Sequence, residues 1–246
     1  MLSHTGIRVD SERARAVFSE AVGGFDDNLV RIPGEIVEQA LQSVPAQIDM
    51  YNRDGNLAFS MGGHQPSGTI YGIGVTNSWY QNPENDSAIP FTRKHVEIAT
   101  ALGNTLTQFD LVSTPGVIQN DDTQMGEVVG TLEMMANTTK PLGILISEPK
   151  QFDLALSMLE HLRGNLSQKP FVLPYFNPIT PLVLNEDTTD KMFSTIDHGL
   201  PFIFSSYGMS GATAPISAEG TLVMLNAELL AGLVFSQLIK PGTPVI

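Results

Sequence analysis

Phe171-Val-Leu-Pro-Tyr-Phe176 is apolar along its whole length instead of alternating, the pattern of a strand covered on both faces. It has companions. Leu142-Gly-Ile-Leu-Ile-Ser147 precedes it, Pro201-Phe-Ile-Phe-Ser-Ser206 follows it, and a shorter run at 106–113 begins the series. Helical periodicity fills the gaps. Residues 150–163 place Phe152, Ala155, Leu156, Leu159 and Leu162 on one face, with Gly164 suited to a left-handed cap. A helix near 91–102 ends at Gly103, with Val96, Ile98, Ala99 and Leu102 toward the core. Residues 120–123, including Asp121-Asp122, can cap a helix carrying Met125, Val128, Val129, Leu132 and Met135. Further helices are predicted near 187–198 and 217–239, and Pro244-Val-Ile246 reads as the opening of one more strand.

Strand starts thus recur roughly every 30–40 residues with one helix between them, the size of a βαβ unit. The fold class is α/β, as a doubly wound sheet or a (β/α)8 TIM barrel. The barrel is preferred because polar or glycine-rich stretches follow strand after strand. The pattern stops in mid-course, so residues 87–246 are expected to be a truncated half barrel, preceded by an α+β lead segment at 1–86. Open sheet edges in such a half are expected to make the isolated chain self-associate. In the lead segment, Asp10 or Ser11 caps a first helix, Pro33 opens a second, and Asp54-Gly55 marks a hairpin. Residues 62–86, rich in Gly, Ser, Asn and Pro, read as a long ordered loop or extended arm.

Composition excludes several function classes. Thirteen Lys and Arg face twenty-six Asp and Glu across the 246 residues, a formal charge of −13, which repels phosphate backbones and anionic lipid heads. Nucleic acid and a membrane surface are therefore not expected partners. Without cysteine there is no disulfide, thiolate zinc site, iron–sulfur cluster or thiol nucleophile. Residues 1–10 lack a secretory pattern, and a cytoplasmic location is expected. The apolar stretch at 222–239 is interrupted by Asn226, Glu228, Gly232 and Gln237, and reads as a buried helix.

The most informative chemistry follows the strands. Tyr207-Gly-Met-Ser-Gly-Ala-Thr-Ala-Pro-Ile-Ser217 offers close backbone approach and the hydroxyls of Ser210, Thr213 and Ser217, although an ordinary tight connection accounts for it equally well. It lacks the spacing of a phosphate loop. Tyr175-Phe-Asn-Pro-Ile-Thr-Pro181 adds aromatics, Asn177 and rigid prolines, again in a stretch that reads as well as a stiff turn. The histidines are dispersed, so no metal site is expected; His64 is the one placed in a loop that can reach a ligand. Tyr71, Trp79, Tyr80, Tyr175, Phe176 and Tyr207 all fall in loops or at strand ends. A ring face attracts a substituted ammonium ion by roughly 0.5–2 kcal/mol, though for any single ring packing is the simpler role.

The block Tyr207–Leu222, with Asn226-Ala-Glu228, Ala231-Gly232 and Pro241-Gly242, resembles the trimethylamine–corrinoid methyltransferase family. Gly6-Ile-Arg-Val-Asp10, Arg31-Ile-Pro33 and Tyr51-Asn-Arg-Asp54 agree with it. The resemblance implies a barrel enzyme that moves a methyl group from a methylated amine, such as trimethylamine or glycine betaine, to the cobalt of a separate corrinoid protein. Family barrels are about twice as long, so the catalytic residue, a pyrrolysine in the trimethylamine enzymes, is expected in a C-terminal half and has no counterpart here. This half alone is expected to be inactive. The implied partners are a cognate corrinoid protein and a small amine, with a homo-oligomer as a further expectation. The corrinoid (cobalamin) cofactor is carried by that protein and not by this chain. Tyr175, Phe176, Asn177, Tyr207, Met209, Ser210, Thr213 and His64 are the candidate substrate-binding residues. A non-catalytic amine-binding module and an unrelated TIM-barrel lyase or isomerase are the alternatives.

Overall fold

The computed structural model describes residues 1–23, 27–64, 68–74, 76–119 and 125–246. In chain order they form β1 (Ile7–Val9), α1 (Glu12–Val22), β2 (Leu29–Val30), α2 (Gly34–Ser43), β3 (Gln47–Tyr51), β4 (Leu57–Gly62), β5 (Gly72–Ile73), β6 (Trp79–Gln81) and β7 (Ala88–Pro90). There follow α3 (Arg93–Thr105), β8 (Leu111–Ser113), α4 (Gly126–Asn137), β9 (Leu142–Ile144), α5 (Pro149–Arg163), β10 (Val172–Phe176), β11 (Val183–Leu184), α6 (Glu186–Asp197), β12 (Ile203–Phe204) and α7 (Ala218–Ile239). Two compact units result: Met1–Pro45 with Tyr175–Ile246, and Ala46–Pro174.

In the unit Ala46–Pro174, β5, β8, β9 and the first residues of β10 pair side by side, all parallel. The α/β expectation holds. β3 and β4 form the antiparallel hairpin, with Gly55 at φ +84° in its turn, where a side chain is disfavoured. The arm at 62–86 is more than a loop. Among its described residues it holds β5 and the strand β6, which pairs antiparallel with β7. Neither strand is long enough to give a periodic signal.

Helix α3 departs most from the periodicity. Its buried side is Val96, Thr100 and Gly103, whereas Ile98 and Leu102 are half exposed. The helix also continues past Gly103. A Cβ there would lie 2.3 Å from Ile73 Cγ2, so this glycine permits close packing and does not stop the helix. Lys140 Nζ caps the end instead, donating to the carbonyls of Gly103 and Leu106 at 2.7 Å each. In α4, Val128, Met134 and Met135 are buried and Leu132 is not. The cap expected at 120–123 lies outside the described residues. Helix α5 buries Phe152, Ala155, Leu156 and Leu159 completely and leaves Leu162 exposed. Gly164 has a positive φ of +84° but an extended ψ of −158°, so it is not a left-handed helical cap.

In the other unit, β1 pairs parallel with β11 and antiparallel with β2. Ser11 caps α1, its hydroxyl accepting from the Ala14 N–H at 3.3 Å. Phe235 on α7 stacks on Phe18 of α1 and meets Phe193 of α6 edge-on, both at 5.4 Å between ring centres. Each such ring contributes roughly 1.5–3 kcal/mol by burial. Helix α7 is long and apolar enough to cross a membrane by composition, yet half of its most apolar window is buried within the protein. The last two residues of β10 pair parallel with β12, Tyr175 opposite Ile203 and Phe176 opposite Phe204. Beyond α7, Val245 bridges Phe202 in parallel, and Ile246 exchanges hydrogen bonds with the Phe202 carbonyl and the Phe204 N–H.

Candidate functional site

The ends of β10 and β12 bring two of the expected residues together. Side chains alternate along a strand, so Tyr175 and Phe176 turn to opposite sides. Phe176 joins the core, 3% exposed, its ring 5.5 Å from that of Phe202. Tyr175 instead extends its hydroxyl to the Ser205 hydroxyl and, at 2.8 Å, to that of Tyr207. Tyr175 is half-buried, whereas Tyr207 is exposed. Burial raises the Tyr175 phenol above its ordinary value, an effect the Ser205 hydrogen bond opposes and the neighbouring Tyr207 phenol reinforces. Tyr175 therefore stays neutral at neutral pH, presenting a ring face and no charge.

The remaining candidates shape the surroundings. Asn177 is half-buried; its carbonyl accepts from the Thr188 hydroxyl at 3.1 Å, and its amide donates to the Pro178 carbonyl at 3.3 Å. Met209 is exposed, at the start of a tight turn closed by Ala214 N–H donating to the Met209 carbonyl at 3.0 Å. Within that turn the Thr213 hydroxyl accepts from the Met209 N–H at 3.1 Å, and the Ser210 hydroxyl meets that of Thr221 at 2.9 Å. These two hydroxyls hold the loop in shape. The Ser217 hydroxyl caps α7, accepting from Gly220 N–H at 3.1 Å. His64 lies in the other unit, exposed just beyond β4.

Behind the tyrosines stands a residue that the periodic reading treats only as an interruption of an apolar helix. Glu228 of α7 is fully buried. Its carboxylate accepts from the Thr180 hydroxyl at 2.9 Å, from the Leu182 N–H at 2.6 Å and from the Ser206 hydroxyl. It thus ties the loop after β10 to the loop after β12. Leu182 has φ +57°, a left-handed conformation that costs a non-glycine residue roughly 1–2 kcal/mol, and the bond to Glu228 offsets this. The sequence signal was present: a lone carboxylate in the middle of the most apolar helix. Among the described residues, no three His, Asp or Glu side chains gather as metal ligands.

This arrangement supplies aromatic ring faces, an exposed thioether and one buried carboxylate, without a nucleophile–base pair. A sequence model of the trimethylamine methyltransferase family matches residues 1–246, the whole chain. The chain belongs to that family. Trimethylamine methyltransferase MttB of Desulfitobacterium hafniense is 29% identical over 253 residues, covering 100% of this chain and 50% of the relative. Its namesake in Methanosarcina barkeri is 29% identical over 255 residues, covering 100% and 51%. A glycine betaine methyltransferase of D. hafniense is 26% identical over 265 residues, covering 100% and 51%. The chain spans about half the length of the curated relatives it matches. The family resemblance carried by Tyr207–Leu222 is borne out.

Proposed function

We propose that this chain is the front half of a methyltransferase that carries a methyl group from a methylated amine to the cobalt of a separate corrinoid protein. Trimethylamine or a quaternary amine such as glycine betaine is the substrate class. Family membership along the whole chain carries the reading, and the paired phenols of Tyr175 and Tyr207 at adjacent strand ends agree with it.

The strand order supports a (β/α)8 barrel. In one unit β5, β8, β9 and the first residues of β10 follow one another in a single direction, and in the other the last residues of β10, β12 and Val245 do the same. A doubly wound sheet would reverse direction at a switch point. Residues 87–246 are then the first half of the barrel, with 1–86 as the lead segment whose β5 adds to its edge. Loops at the carboxyl ends of the strands are where such barrels place their chemistry.

The ring faces of Tyr175 and Tyr207 hold the ammonium group, with the thioether of Met209 and the Asn177 loop forming the rim. In the transfer the acceptor's reduced cobalt would supply the electron pair of the new carbon–cobalt bond, being oxidised by two electrons, while the carbon–nitrogen bond breaks and its own pair stays on nitrogen. A quaternary substrate, or trimethylamine entering as its protonated ammonium, leaves as a neutral amine, so the residues here need not deliver a proton. Their work is to orient the methyl carbon and exclude water. The test uses the full natural polypeptide, a methyl-accepting corrinoid protein and each amine, following methyl–cobalt formation by absorbance. Transfer with the native protein, weakened at least about tenfold in Tyr207→Ala, is expected from loss of an aromatic anchor. Amine binding without transfer would leave a binding module; absence of both would end the proposal.

A further inference from the structure

Glu228 is better supplied than a structural staple needs to be. Each of its three partners is neutral and each supplies a donor to the carboxylate oxygens. Among the described residues no Lys, Arg or His forms an ion pair with it. Burying a charge without an opposite charge is costly. A glutamine could join the same loops, because the hydroxyls of Thr180 and Ser206 can turn to accept while the Leu182 N–H still donates. Stapling therefore requires the hydrogen bonds but not the charge. The carboxylate is linked to the aromatic pair through one residue: Ser206, which donates to it, lies between Ser205 and Tyr207, and both of these meet the Tyr175 hydroxyl.

We propose that Glu228 is a specificity-determining counter-charge, whose negative field makes the tyrosine pair select a permanent cation over a neutral molecule of the same shape. This rests on the amine-binding reading above. Charges in buried surroundings are weakly screened by salt and reach farther than exposed ones. The ring faces already favour a cation over its neutral isostere through their quadrupoles; the carboxylate adds to that preference, and its share is what Glu228→Gln removes.

The experiment measures binding of choline and of its uncharged carbon isostere, 3,3-dimethylbutan-1-ol, to the full natural polypeptide and to Glu228→Gln. The expected result is a loss of about tenfold or more for choline in the variant, with the isostere unchanged. Equal losses for both compounds, or none, would overturn the inference and leave Glu228 as a staple. If Glu228→Gln does not fold, Tyr207→Ala decides, because it removes a ring and keeps the carboxylate. Choline must still bind that variant at least about tenfold tighter than the isostere, and that preference must persist at high salt. No preference, or one abolished by salt, contradicts the inference. A native protein that binds neither compound contradicts the amine reading itself.

Discussion

The hairpin β3–β4 and the ends of β10 and β12 each hold a carboxylate with neutral donors, yet the consequences differ. In the hairpin, Asp49 accepts from the Ser60 hydroxyl at 2.7 Å and from the Gln47 amide at 2.8 Å. Those bonds, the Ser60 one foremost, hold its acid below the usual aspartate value of 3.8. Water reaches it and completes its solvation, so the charge is inexpensive and its influence short. Glu228 has the same kind of partners and no access to water. Its structural worth is larger and its field less damped. Hydrogen-bond chemistry alone therefore does not distinguish a local brace from a residue that shapes ligand preference; burial does.

The strongest way to break this comparison is Glu228→Leu. It leaves three donors without an acceptor, at roughly 1–3 kcal/mol each, and a loss of about 3–5 kcal/mol is expected from urea unfolding. An effect under about 1 kcal/mol would place Glu228 beside Asp49. Next comes Gly232→Ala, one turn further along α7. The added Cβ would lie 2.3 Å from Phe204 Cε1 and push the helix off β12, costing roughly 1–3 kcal/mol in thermal unfolding.

Tyr175 gives a pH-dependent test. Its folded value is raised, so its contribution is complete below the ordinary tyrosine value of 10.0 and is lost as the pH rises through the raised one. Stability should fall on the alkaline side, and Tyr175→Phe should flatten that fall while removing a late-titrating phenol from the ultraviolet titration. Asp49→Asn has the smallest expected effect. Because the folded Asp49 value is lowered, its contribution is present above 3.8 and disappears as the pH falls through the lowered value. Acid unfolding monitored by circular dichroism should begin at slightly higher pH in the variant.

Much of the architecture was legible because buried parallel strands such as Phe171–Phe176 are continuously apolar, and because α5 keeps a strict helical period. Helix α3 was misread for a physical reason. Its close face is built from Thr100 and Gly103, small residues that let Ile73 and Val112 approach, whereas a hydrophobic reading favours the larger Ile98 and Leu102. β5 was invisible because a two-residue strand has no period. At the site, Tyr175 and Tyr207 could be named from their places after strands, but their meeting depends on the parallel pairing of β10 with β12. Phe176 shows the limit: adjacency to Tyr175 in sequence puts it on the opposite side. Glu228 stood out by composition, but only its three donors show that it belongs behind those tyrosines.

The most direct measurement is a crystal structure of the full natural polypeptide with tetramethylammonium bound. The account requires the nitrogen within about 6 Å of the Tyr175 or Tyr207 ring centre, with Glu228 still holding Thr180, Leu182 and Ser206 behind it. A cation bound elsewhere, with the two phenols facing away from it, would contradict the account.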